Sequence, residues 1–356
     1  MHRLDDTRAI RALDRSNMYE HIASLPERFG EAWNRAVDFA LPAHFIRNSN
    51  IVFLGMGGSA IGGALVKSIL EGSGERTPIH IVRDYTLPDF VDRNSLVVAV
   101  SYSGNTEETI AAFSKAATKG AKLLAVTSGG ELERLSGRFR APLFSIPYAA
   151  PPRAALAYLF VPLLAVAEKL GLTAFSTPEM TEVIQRMSEK RAAYALEMPI
   201  ARNPAKKLAE KLAEKIVTIV GSGPLTEAAR RWKTQLNENA KQAAYFEVLP
   251  ELCHNSVVGL DFPKAQKKDA CVVVLQSRFD HPRNILRMSL YPSILARKAI
   301  PHEVVKSADA PNAIAELAET ILLGDFVSFY LAMLNRVDPT PVEPIEQLNK
   351  ELARHQ

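Results

Sequence analysis

The chain has 356 residues, 47% of them hydrophobic, and its 43 Lys and Arg against 39 Asp and Glu give a net charge of +4. That length suggests two domains, and so small a surplus, with no Lys/Arg run or interleaved aromatics, implies no nucleic-acid partner. Cys253 and Cys271 lack the spacing of a zinc site or a disulfide framework, which fits a reducing compartment. Met1–Asp6 is polar rather than the start of a signal peptide, and no window approaches the roughly 20 apolar residues of a membrane span. A cytoplasmic protein is expected.

Residues 1–45 read as an N-terminal helical extension. From 46 to 195, short apolar runs at 50–54, 78–83, 95–100, 121–126 and 142–147 alternate with helical patterns, as in a parallel sheet covered on both faces. Gly55-Met-Gly-Gly-Ser59 follows the first run and opens an apolar helix. Its G-x-G-G-S spacing is not the dinucleotide fingerprint, and no Walker sequence is present. The third run, Leu96–Val100, breaks into Ser101-Tyr-Ser-Gly-Asn-Thr106. Small hydroxyls and backbone N–H groups at a helix start suit a phosphate. Asn105 is the expected N-cap of helix 106–118, with Glu108 three residues on, and Glu107 and Glu108 are expected to point outward. A tight turn needing glycine explains either loop alone; two after successive strands favour a phosphorylated ligand.

Pro151-Pro152-Arg153 follows the fifth run. Arg153 suits a phosphate or an oxyanion, or simply a solvated loop. A long helical region over 153–195 precedes Asn203-Pro204. Residues 205–356 then repeat the first pattern: Val220-Gly-Ser-Gly-Pro224 echoes Gly55–Ser59, and Val272–Arg278 echoes Val97–Ser103, at offsets of 166 and 175 residues. The second copy has Gln276-Ser-Arg-Phe-Asp280 where the first has its hydroxyls, so one half alone is equipped for phosphate. A helix over Thr226–Lys241 buries Ala229, Trp232, Leu236 and Ala240 at three- and four-residue steps and leaves Glu238 off that stripe. His254 lies in a Pro-containing turn, as a proton shuttle or a turn cap. The other histidines carry no ligand spacing, so neither metal nor cofactor is expected.

Gly55-Met-Gly-Gly-Ser-Ala-Ile-Gly-Gly, Ser101-Tyr-Ser-Gly-Asn-Thr-Glu-Glu-Thr, Pro152-Arg-Ala-Ala, Leu236-Asn-Glu-Asn-Ala-Lys and Glu251-x-x-His-Asn together resemble the bifunctional phosphoglucose/phosphomannose isomerases. The resemblance implies two doubly wound α/β sugar-isomerase (SIS) domains flanked by helices. It implies that Ser101, Ser103 and Thr106 hold a sugar phosphate, with Ser59, Gly57 and Gly58 beside it. It also implies Glu238 as the base of a cis-enediol reaction, Arg153 steadying the enediolate, and His254 opening the ring from a neighbouring subunit of a homodimer. The family's C-terminal lysine aligns one place before Lys350, the nearest candidate, and Thr340 matches only loosely the position of a threonine linked to dual specificity. An isomerase of another phosphosugar (arabinose 5-phosphate or an amino-sugar phosphate) and a non-catalytic phosphosugar-binding regulator are the alternatives.

Overall fold

The computed structural model describes residues 2–71, 76–352 and 354. Helices α1 (Thr7–Leu13), α2 (Met18–Ala23) and α3 (Leu25–Val37) lead into β1 (Asn50–Leu54), α4 (Gly57–Leu70), β2 (Ile79–Val82), β3 (Ser95–Val100), α5 (Glu107–Thr118), β4 (Lys122–Thr127), α6 (Gly130–Phe139) and β5 (Leu143–Ser145). Next come α7 (Leu156–Lys169), α8 (Thr177–Tyr194) and α9 (Pro204–Leu212). The second half runs through β6 (Ile216–Gly221), α10 (Thr226–Glu238), β7 (Ala244–Val248), α11 (Gln266–Asp269), β8 (Ala270–Gln276), α12 (Pro282–Arg297), β9 (His302–Lys306), α13 (Ala313–Leu334) and α14 (Glu343–Leu352).

The strands are parallel, in two sheets ordered β2-β1-β3-β4-β5 and β7-β6-β8-β9. Every side chain of β1 and β3 is buried, as expected of central strands with helices on both faces. The internal repeat holds in register. Leu54 pairs with Ala99 in the first sheet, and Val220 with Val274 in the second, at the same two offsets read from the sequence. The order reverses beside β1 and again beside β6, and ligands collect at the carboxyl ends of strands at such switch points.

Each sheet packs its outer face against its own helices, around Val97 and Phe113 in the first and Val274 and Leu295 in the second, while the inner faces of both share one core. One apolar cluster runs from Leu4 to Met333, because α4 packs on both α7 and α10, and α13 on α8, α9 and α10. The N-terminal helices cover α7, α8 and α13 rather than the first sheet itself. At Gly62 a Cβ would sit 1.8 Å from the Leu159 carbonyl oxygen, so the α4–α7 crossing requires glycine.

Three expectations need correction. The helix after the serine loop begins one residue later, with Thr106 at the N-cap position; Asn105 Oδ1 instead accepts the Glu131 N–H at 3.0 Å. The helix expected over 226–241 ends at Glu238, because Lys241 turns left-handed (φ 53°) to reach β7, a strand that the local pattern does not announce. Finally, α13 has 22 residues with a mean hydropathy of 1.6, long and apolar enough to cross a membrane, where no such window was expected. It is a core helix: 89% of its apolar window is covered by the protein, and Glu316, Glu319 and Asp325 are buried along it.

Candidate active site

Residues from both halves meet at the carboxyl edge of the first sheet. A cleft of about 200 Å³ is lined by Gly57 and Gly58 at the start of α4, Arg153, Glu238 at the end of α10, and Arg83, Arg230 and Lys233. Gly58 runs close to the Arg153 backbone, where a Cβ would lie a tight 3.3 Å from its nitrogen.

Arg153 is 4% exposed and held on every side. Its Nε donates to Asn239 Oδ1 at 2.7 Å, and Asn239 in turn donates to Ser328 Oγ on α13 at 2.9 Å. Its Nη2 donates to the carbonyls of Pro339 and Thr340, both at 2.8 Å, and its Nη1 lies 3.5 Å from Glu238 Oε2. The Arg153 carbonyl accepts from Arg231, whose guanidinium is paired with Asp325 at 2.6 Å in the interior. Burial lowers the pKa of Arg153; Glu238 opposes the shift and Arg231 adds to it. A guanidinium held by so many partners is pre-aimed, which suits charge stabilisation in a water-poor site. The Glu238 side chain is 26% exposed, open to a ligand on one side.

Lys241, which sequence reasoning passes over although it closes the quoted Leu236–Lys241 segment, stands beside them. Its ammonium donates to the Glu238 carbonyl at 2.7 Å and to the Pro339 carbonyl at 3.1 Å. Burial and the neighbouring Arg153 push its pKa down to about 8, against the pull of Asp338, Glu238 and Glu343. Arg153 and Lys241 thus converge on the Pro339–Thr340 strap, and Thr340 Oγ1 is buried there without a hydrogen-bond partner among the described residues. The position of Thr340 is the one sequence signal that pointed to this strap. A larger cavity of about 790 Å³ adjoins, between Glu238, Lys241 and the start of α14.

The hydroxyl loop is folded on itself. Ser101 is fully buried, its Oγ accepting from the Gly104 N–H at 3.1 Å and bonding Thr106 Oγ1 at 2.9 Å. Ser59, 6% exposed, accepts the Tyr102 N–H at 3.1 Å and so ties the two loops together. Ser103 is exposed and Thr106 half-buried, so these two are the loop hydroxyls within a ligand's reach. Glu107 is exposed and accepts from the Tyr85 hydroxyl at 3.2 Å, while Glu108 is half-buried. His254 is exposed beyond β7, and Lys350 is exposed on α14; neither lines the cavities at Glu238.

At the corresponding loop after β8, the Glu316 carboxylate of α13 accepts from the Ser277 hydroxyl and, at 3.0 Å, from the Arg278 N–H. Glu316 is 0% exposed, and burial raises its pKa.

Residues 201–352 match the model of the bacterial phospho-glucose isomerase C-terminal SIS domain, and residues 44–136 that of the SIS domain. The bifunctional phosphoglucose/phosphomannose isomerase of Caldicellulosiruptor bescii is 39% identical over 94% of this chain and 99% of its own. The chain belongs to this family. The Aquifex aeolicus member is 34% identical over 86% of this chain and 91% of its own. Among solved structures, a hypothetical protein from Thermus thermophilus superposes with a TM-score of 0.74 at 18% identity, covering 98% of this chain and 94% of that one, a likeness of fold. The family therefore accounts for nearly the whole chain.

Proposed function

We propose that this SIS-domain isomerase interconverts glucose 6-phosphate and mannose 6-phosphate with fructose 6-phosphate through a cis-enediol. The observation that carries the reading is the 39% identity, over nearly the full length, to a bifunctional phosphoglucose/phosphomannose isomerase, with Arg153 and Glu238 converging in one cleft at the switch point. The phosphate sits at Ser103 and Thr106, with Ser101 and Ser59 holding the loop in shape and Gly57 and Gly58 allowing the sugar close approach. Glu238 removes the proton from C2 and returns it to C1, while the hydroxyl proton passes between O1 and O2. One positioned carboxylate is worth about 10²–10⁴ in rate. Arg153 steadies the enediolate oxygen. His254, exposed on its own subunit, opens the sugar ring in the site of the partner of a homodimer, and Lys350 is the C-terminal cation. Both cysteines are free, in keeping with a cytoplasmic protein.

The test is to incubate chelated protein separately with glucose 6-phosphate and mannose 6-phosphate and follow fructose 6-phosphate. Product from both supports the reading. Product from neither, with phosphosugar binding retained, returns the chain to another substrate or to a sensor.

A further inference from the structure

The cleft holds more positive charge than a monophosphate requires. Arg83, Arg230 and Lys233 line its side under β2, together with Phe246. Arg83 follows β2 directly, whereas the serine loop follows β3, and β1 lies between them. At the usual strand spacing those two ends stand about 9–10 Å apart, comparable to a hexose phosphorylated at both ends.

The two arginines share one carboxylate. Glu227, 14% exposed, accepts from Arg230 Nε at 2.8 Å and lies 3.7 Å from Arg83, beyond a hydrogen bond. The Lys233 ammonium has no hydrogen bond or ion pair among the described residues. The Arg230 guanidinium lies over Phe246, 4.3 Å from the ring centre, which fixes it to the wall. Only 33% and 34% of the Arg83 and Arg230 side chains are exposed, so a partly desolvated surplus of positive charge faces the cleft. Burial, with Arg230 beside it, lowers the pKa of Arg83 against the pull of Glu227. An arriving anion relieves that repulsion.

We infer that Arg83, Arg230 and Lys233 form a second anion subsite that receives a phosphate on carbon 1 of a hexose whose carbon-6 phosphate occupies the serine loop. The inference rests on the reading of Ser101–Thr106 as the phosphate loop. Hexose bisphosphates are then competitive inhibitors, held at both ends, with O1 blocked for the proton exchange between O1 and O2.

The experiment is calorimetric titration of the full chain with fructose 1,6-bisphosphate and with fructose 6-phosphate. The bisphosphate is expected to bind about tenfold more tightly, the scale of one charge-assisted contact. Arg83→Ala combined with Lys233→Ala should erase that advantage while leaving the monophosphate within about twofold; Lys233→Ala alone, at a helix-surface position, is the fallback if the pair folds poorly. Equal affinities in the unmodified protein overturn the inference. So does an equal loss for both ligands in the variants, which makes the cluster the sole phosphate site. A Thr106→Val plus Ser103→Ala protein separates the two readings: unchanged binding of both ligands means that the phosphate loop itself is misassigned.

Discussion

The loop after β3 and the loop after β8 occupy equivalent places in two sheets of matching order and register, yet they meet opposite fates. In the first, Ser101 and Thr106 bond each other and the backbone, leaving Ser103 and part of Thr106 open to solvent. In the second, Glu316 reaches in from α13 and takes the Ser277 hydroxyl and the Arg278 N–H for itself. A buried carboxylate thereby stands where an anionic ligand belongs. The repeated framework offers two equivalent loops, and the second is filled from inside by the protein's own carboxylate. The loss of hydroxyls in 276–280 is half of that story. The other half lies 39 residues beyond Ser277 and meets it only in the fold.

The largest expected effect tests the open half. Glu238→Gln should lower kcat by about 10²–10⁴ while phosphosugar binding stays intact; turnover within a few-fold of the parent, measured by fructose 6-phosphate formation, removes Glu238 as the base. Gly104→Ala comes next. Gly104 has φ 71°, and a Cβ there would sit 1.8 Å from the Gly129 carbonyl oxygen, so the loop cannot keep its shape. The expected result is a steep rise in KM for both sugars with a smaller change in melting temperature, since the strand cores are untouched.

The closed half is sharpened by two variants at one position. Glu316→Ala leaves the Ser277 hydroxyl and Arg278 N–H without a partner and should destabilise the fold by about 1–3 kcal/mol. Glu316→Gln keeps the shape and removes a buried charge, so denaturant unfolding at neutral pH should place it close to the parent. The sign with pH follows from the raised pKa. The native state holds its proton at a higher pH than the unfolded chain does, so this group's contribution to stability falls as pH rises above the ordinary glutamate range, and Glu316→Gln should flatten that slope.

Lys241 gives the smallest and most selective effect. With its pKa pushed down to about 8, the native ammonium loses its proton before the unfolded one, so stability should rise between pH 8 and the ordinary lysine range. Activity should move the other way if the charge holds the Pro339–Thr340 strap. A kcat profile with a limb near pH 8 that disappears in Lys241→Met and persists in Lys241→Arg at higher pH supports this; an unchanged limb in the Met variant refutes it.

Much of this protein is written locally. The parallel strands of the first sheet, the hydroxyl loop, the repeat and the buried stripe of α10 follow from apolar runs, glycine placement and three- and four-residue periodicity, all of which depend on neighbours in the chain. Asn105 departs from its capping pattern because a partner across the loop, the Glu131 N–H, competes for its side chain. Likewise β7 and β9 have mixed burial, with no clean alternation, and their identity comes from pairing with β6 and β8. Which side chains meet at the cleft was beyond local pattern altogether. Arg153, the Glu238–Lys241 turn and Pro339 come from three separate segments, and Glu316 closes a loop that it does not adjoin in sequence. The sequence by itself determined the repeating α/β framework and the chemistry available to it, because propensity and periodicity act over a few residues. The tertiary structure alone decided which of the two equivalent loops stays open, because that choice rests on a buried charge finding its donors across the core.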